Sequence, residues 1–222
     1  MGMHVLNPAA KDSRFRALVD GVDSIQLHNT FPALGLSEIR LILGSEKPVV
    51  QVLHNFRMSC LTGLHFREGS PCNDCTPDHF LPGIVRRCYN GSMPQSVVVS
   101  QLTRAKYALW NSPATRFVAI SEFMKSYAIQ CGIAEDRISV IPNSVPAASP
   151  ISSSATQAIF VGRLSQEKGL RLVLTAWRSN ADLPTLNIVG DGPLRAEVER
   201  ATMADSRILF HGQLSSAELD SV

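Results

Sequence analysis

Long apolar runs are missing from this 222-residue sequence. None approaches the roughly 20 residues that a membrane-spanning helix needs. An excess of one charge is missing too: 21 Lys and Arg stand against 19 Asp and Glu, a net of +2. That balance lacks the basic stripe of a nucleic-acid-binding surface. The opening MGMHVLNPAAKD has no apolar h-region for a signal peptide, and Leu6 stands where a myristoylation pattern needs Ser or Thr. Neither the GKS/T of a P-loop nor a GxGxxG occurs, so the common nucleotide signatures are absent. These absences predict a cytoplasmic protein with no nucleic-acid partner. What is present, 45% hydrophobic and 18% charged residues, is globular in kind.

The stretch that organises the chain is AIFVGRLSQEK, Ala158 to Lys168. Ala158–Val161 is a short run of β-formers, which predicts a strand buried on both faces. Gly162 ends it. Leu170, Val173, Leu174 and Trp177 then fall at i, i+3, i+4 and i+7, one stripe of a helix. Arg163 and Lys168 therefore lie at a strand-to-helix turn, near the positive end of a helix dipole. With outward-pointing turn N–H groups they would suit a phosphate. A solvated Arg and Lys on an ordinary loop is the competing reading.

One unit later, LNIV reads as a strand and Gly190-Asp191-Gly192-Pro193 as the turn after it. Gly192 as N-cap and Pro193 at N1 predict a helix start, with Leu194, Val198 and Ala201 on one face. Two glycines permit close approach to the backbone. In a parallel sheet both turns open at the carboxyl edge, where ligands bind.

Upstream, two apolar strands each run into a His-Asn pair, His28-Asn29 and His54-Asn55. These pairs are either structural or ligand-facing. Residues 56–91 form a long irregular insertion holding Cys60, Cys72, Cys75 and Cys88. Cys72-x-x-Cys75 can hold one tetrahedral zinc, with the outer two cysteines as further ligands and His65 and His79 spare; reduced, packed cysteines are the alternative. Ser92 opens a helix with Val98, Leu102, Ala105 and Leu109 on its apolar stripe. Its Arg104 and Lys106 are read as a solvated face, with a membrane surface or an acidic acceptor as the other uses. Ser121 caps the following helix. NSVPAASPISSSATQ, beginning at Asn143, reads as linker.

FVGRLSQEKG, NIVGDGPLR and ILFHGQLSSAEL, in that order, resemble the donor half of family 4 glycosyltransferases. IQLHNTFP, VVQVLHNFRMSC, GSPCNDC, RFVAISEFMK and ISVIPNSV resemble one bacterial branch of the same family. The resemblance implies the α/β GT-B fold, two Rossmann-like lobes with parallel sheets. It divides the chain into an acceptor-side lobe at 1–146, a linker at 147–157 and a donor lobe at 158–222. It also implies transfer from a nucleotide-diphosphate sugar to a glycan or lipid-linked acceptor, with retention, in cell-surface polysaccharide synthesis. No catalytic cofactor is implied, and contact with the inner membrane surface is compatible with it. Arg163 and Lys168 would stabilise the leaving diphosphate, taking the role of a metal since no DxD-like pair is near. His54 would lie near the transferred sugar. Gly162, Gly190, Asp191, Gly192, Pro193, Ser121 and Asn143 would line the donor site, and His28 and Asn29 the acceptor side. A nucleotide-sugar epimerase, a glycogen-type phosphorylase or a non-catalytic binding module are the alternatives, separable with isotope-labelled donor.

The family's N-terminal glycine loop and later paired-glutamate motif are both missing, and the capping box Ser215–Glu218 opens a helix just before the sequence stops. The expectation is therefore two incomplete lobes, a fragment inactive by itself. Purified chain given UDP-, GDP- and ADP-sugars is expected to show no transfer or hydrolysis; robust turnover with a cooperative thermal transition would reverse that reading.

Overall fold

The computed structural model describes residues 8–144 and 156–219. The chain divides into two compact units, Met1–Arg67 with Pro71–Val145, and Glu68–Ser70 with Pro146–Val222. The expected linker lies outside the described residues except for its last two, and Gln157 already belongs to a strand.

The first unit runs α1 (Pro8–Asp20), β1 (Ile25–His28), α2 (Leu36–Leu43), β2 (Val49–Leu53), β3 (Phe66–Arg67), β4 (Ser70–Pro71), α3 (Leu81–Val85), α4 (Met93–Trp110), β5 (Thr115–Ala119), α5 (Glu122–Gln130) and β6 (Ile138–Val140). β1, β2, β5 and β6 form one parallel sheet in that order. Its core gathers Ile39, Ile42, Val49, Phe117, Ala128 and Ile138. The insertion is less irregular than expected, since β3 and β4 pair as a ribbon and α3 packs on α4.

The α4 stripe is a correction. Val98 is 58% exposed, whereas Val99, Thr103, Lys106 and Trp110 are buried. Apolar side chains lie around much of this helix, so hydrophobicity alone placed the buried face about one residue out of phase. Lys106, read as solvated, is 8% exposed.

The second unit runs β7 (Gln157–Val161), α6 (Leu170–Ser179), β8 (Thr185–Val189), α7 (Arg195–Ala204), β9 (Ile208–Gly212) and α8 (Ser216–Leu219). Its sheet, β7-β8-β9, is parallel throughout. Leu170 and Leu174 are buried with Leu186, Ile188 and Val198, and Val173 and Trp177 pack against them, as the periodicity predicts. β7 itself is not buried on both faces: Ile159 and Val161 are about half exposed. It is an edge strand in this sheet, and β8 holds the centre.

Two polar devices hold the frame. In the first unit Arg137, one residue before β6, donates to the carbonyls of Trp110, Asn111, Ser112 and Thr115. In the second, Arg207, one residue before β9, donates to those of Trp177, Asn180, Ala181 and Leu183. Each guanidinium satisfies carbonyls left over at a helix end. The insertion is pinned by the Tyr127 hydroxyl, which donates to Phe56 O at 2.9 Å and accepts from Ser59 N at 3.0 Å. Burial pushes this hydroxyl's pKa well up, so it stays neutral. Tyr127→Phe leaves the Ser59 N–H unsatisfied in the interior. The expected cost is about 1–3 kcal/mol in a urea titration of the first unit; an unchanged midpoint would show that packing, not the hydroxyl, holds the insertion.

Candidate functional site

Parallel pairing sets His28 beside Val52, so β1 and β2 end at the same edge of the sheet. There the two His-Asn pairs meet. His28 Nδ1 lies 2.7 Å from His54 Nε2, with the rings stacked at 5.0 Å. Asn55 Nδ2 donates to Asn29 Oδ1 at 2.8 Å. One ring must donate across the first contact, so the tautomer of each histidine is tied to that of the other. Asn55, named in the sequence as half of a His-Asn pair but given no role of its own, completes the second rung.

Behind His54 a pocket of about 90 Å³ reaches into the first unit, with Phe31, Gln51, Arg57, Lys106 and Trp110 among its walls. Gln51 projects from β2 and is 8% exposed. Arg57 places its guanidinium 4.2 Å from the Phe31 ring centre. Of these residues only Lys106 is weighed in the sequence, as part of a solvated face with an acidic acceptor or a membrane surface as the other uses; a Gln in a strand carries no motif.

In the second unit the turns after β7 and β8 are laced together. Gly162 N donates to Val189 O at 3.0 Å, Leu164 N to Asp191 O at 2.9 Å and Leu194 N to Leu164 O at 2.9 Å. Gly190 N donates to Gly212 O at 2.7 Å. These glycines serve the turns themselves: a Cβ on Gly190 would stand 1.9 Å from Gly162 O, and one on Gly192 2.6 Å from Leu164 O. The backbone that approaches them closely is that of the neighbouring turn. The expected ring of outward N–H donors is accordingly not formed by these groups.

The helix after Pro193 begins later than predicted. Leu194, not Gly192, is the N-cap of α7, and Asp191 Oδ1 instead accepts from Gly192 N at 2.8 Å. Arg163 follows the β7 turn, and Lys168 ends a 3₁₀ turn, Gln166–Lys168, that leads into α6. Neither side chain makes an ion pair or hydrogen bond among the described residues. Ser165 Oγ, close by, is committed to Glu167 Oε1 at 2.6 Å.

Ser121 Oγ accepts from Met124 N at 3.2 Å, the capping role expected of it. Asn143 is exposed beyond β6. Among the described residues no group of three or more His, Cys, Asp or Glu side chains is set to hold a metal ion, although Cys60, Cys72, Cys75 and Cys88 lie near enough to interact electrostatically. Cys60 Sγ turns to Thr62 Oγ1 at 3.2 Å and Cys72 Sγ donates to Asp74 Oδ2 at 3.6 Å. Cys75 and Cys88 pack against the Leu61, Phe80 and Val99 cluster. Burial pushes both thiols up, and the neighbouring cysteines add to the shift. All four are free. His65, the spare ligand, stacks on Phe56 and shares a hydrogen bond with Ser59 Oγ at 2.9 Å.

The profile of Glycosyltransferase Family 4 matches residues 3–149. The laced turns of the second unit stand outside that range. Among solved structures, Anabaena Alr3699/HepE in complex with UDP-glucose is similar at 19% identity and a TM-score of 0.58, over 94% of this chain and 54% of that one. The same protein in complex with UDP matches over 91% and 51%. The lipopolysaccharide outer core galactosyltransferase WaaB, apo form, is similar at 16% identity and a TM-score of 0.50, over 95% and 50%. This chain thus spans about half the length of those structures. At these identities the likeness shows the fold, an α/β architecture of the GT-B kind with Rossmann-like parallel sheets. No curated protein matches the sequence. Among the described residues no helix is long and apolar enough to cross a membrane.

His28→Ala removes the partner of His54 Nε2. The ring-nitrogen NMR shifts of His54 are expected to move from those of one tautomer toward a mixture. Unaltered shifts would show that His28 does not set that ring.

Proposed function

Because the chain belongs to Glycosyltransferase Family 4, we propose that it serves transfer of a sugar from a nucleotide-diphosphate sugar to a glycan or lipid-linked acceptor, with retained configuration. The second unit is the donor-binding part in this reading, and the first the acceptor part. The observation that carries it is the pair Arg163 and Lys168, two cations without side-chain partners beside the start of α6. Negative charge grows on the diphosphate as the anomeric C–O bond breaks, and fixed cations lower that barrier without a metal. With the turn N–H groups engaged by neighbouring backbone, the two side chains carry this task.

The acceptor hydroxyl attacks from the face the diphosphate leaves. Its oxygen forms the new C–O bond, and its proton passes to the departing phosphate oxygen. His54 sits at its strand end as a hydrogen-bonding group for the transferred sugar, its tautomer held by His28. His28 and Asn29 belong to the acceptor side. HepE has been seen with UDP and with UDP-glucose, which supports a nucleotide-diphosphate donor here. The five free cysteines fit a reducing compartment, and we place the reaction in the cytoplasm.

The test is calorimetric titration of the chain with UDP, GDP and ADP. The double variant Arg163→Gln, Lys168→Gln is expected to bind the preferred diphosphate more than tenfold more weakly, a change of about 1.4 kcal/mol or more. Equal affinity in the two proteins would defeat the assignment.

A further inference from the structure

The asparagine rung at the ends of β1 and β2 has a direction. Arg57 N donates to Asn55 Oδ1 at 3.1 Å. A backbone N–H can only donate, so Asn55 must turn its oxygen toward Arg57 and its nitrogen elsewhere. That nitrogen donates to Asn29 Oδ1 at 2.8 Å, and an amide nitrogen too can only donate. Asn29 is therefore left with its own Nδ2 to offer. This Nδ2 has no partner among the described residues, and Asn29 is exposed. One backbone amide thus sets the polarity of two side chains, and the sheet edge presents a donor at Asn29. The residue holds a left-handed backbone at φ 43°, a conformation that asparagine tolerates better than most.

Asn29 and Asn55 are also walls of the pocket behind His54, and much of the rest is apolar, with Phe31, Val52, Leu53, Met58, Trp110 and Phe117. The two cations among its walls gather on the Phe31 ring, with the Arg57 guanidinium 4.2 Å and Lys106 Nζ 5.4 Å from the ring centre. Arg57 also donates to Leu61 O at 2.9 Å. The space, about 90 Å³, is several times the ~10–15 Å³ that one water requires, so it takes a substituent of a few heavy atoms. A fixed donor beside an apolar hollow suits a group that accepts a hydrogen bond at one atom and carries a methyl next to it.

We propose that Asn29 is a specificity-determining residue for the acceptor sugar, that Asn55 is its positioning residue, and that the sugar carries an acetamido group. The acetamido carbonyl accepts from Asn29 Nδ2, and its methyl enters the apolar pocket. A sugar ammonium only donates and would meet another donor at Asn29. A plain hydroxyl can accept, yet it brings no methyl to the apolar walls. A carboxylate accepts as well, but it gives up more hydration than an amide on entering an apolar space. The inference rests on the first unit being the acceptor part, and it names the class of sugar that part takes.

Saturation-transfer NMR titrations of the full chain test it, with N-acetylglucosamine, glucosamine, glucose and glucuronate as probes. N-acetylglucosamine is expected to bind at least tenfold more tightly than each of the others, with its acetyl methyl receiving the strongest saturation. Asn29→Gly keeps the left-handed backbone and removes the amide. It should weaken N-acetylglucosamine about fivefold or more, the loss of one hydrogen bond. Asn55→Asp still accepts from Arg57 N but cannot donate, so Asn29 must turn its amide to donate to the carboxylate and present its oxygen instead. Glucosamine should then bind more tightly than N-acetylglucosamine. The double variant Asn55→Asp, Asn29→Gly should lose that reversal; a reversal that survives belongs to the new charge and overturns the assignment of Asn29. Glucosamine, glucose or glucuronate binding as tightly as N-acetylglucosamine, undiminished affinity in Asn29→Gly, or no binding by any probe would each overturn the proposal. UDP titrated into the same samples keeps the two readings apart. Acetamido-sugar binding without UDP binding fails the donor assignment alone, and UDP binding without acetamido-sugar binding fails this inference alone.

Discussion

Parallel pairing in register is the constraint on which this molecule depends. A parallel strand returns to the same edge by way of a crossover, so every strand of a sheet delivers its last residue to one side. In the first unit that rule turns two distant sequence repeats into one structure. β1 and β2 end together, and the side chains after them meet as a His28–His54 contact and an Asn29–Asn55 contact. A slip of one residue between the strands would separate both rungs and turn each side chain to the other face.

The second unit obeys the same rule with different material. Its turns carry glycine where the first unit's carry histidine and asparagine, and the glycines let one turn lie directly on the next. Gly190 rests against the Gly162 carbonyl, and Gly192 against Leu164. The hydrogen bonds that lace these turns use up backbone donors at the edge. Arg163 and Lys168 stand on this loop and on the turn beyond it, without ion pairs or side-chain hydrogen bonds among the described residues.

Away from the sheet edges, stability comes from polar groups that satisfy what helices and loops leave open. Arg137 and Arg207 do this at equivalent places in the two units, each just before the last strand of its sheet in sequence. Tyr127 does it for the insertion, reaching Phe56 and Ser59 from α5. The cysteines add apolar packing to the same region, as protonated thiols against Leu61, Phe80 and Val99.

The sequence by itself determined the alternation of strands and helices, the carboxyl-edge position of both His-Asn pairs, the packed stripe of α6 and the caps at Ser92, Ser121 and Ser215. These follow from local spacing and from hydrogen bonds three residues long, which any reader of the chain can count. Only the tertiary structure decided that β7 is an edge strand, because an apolar run reads the same at the edge and in the centre. It alone decided which face of α4 is inward, since Val98 and Val99 are equally apolar and the choice depends on what packs opposite. Lys106 was hidden by the same fact: a lysine is buried by its neighbours in space, not by its neighbours in sequence. So too with the glycines of the second unit, where the chain announces that something comes close and the fold supplies what it is, the backbone of the turn next door.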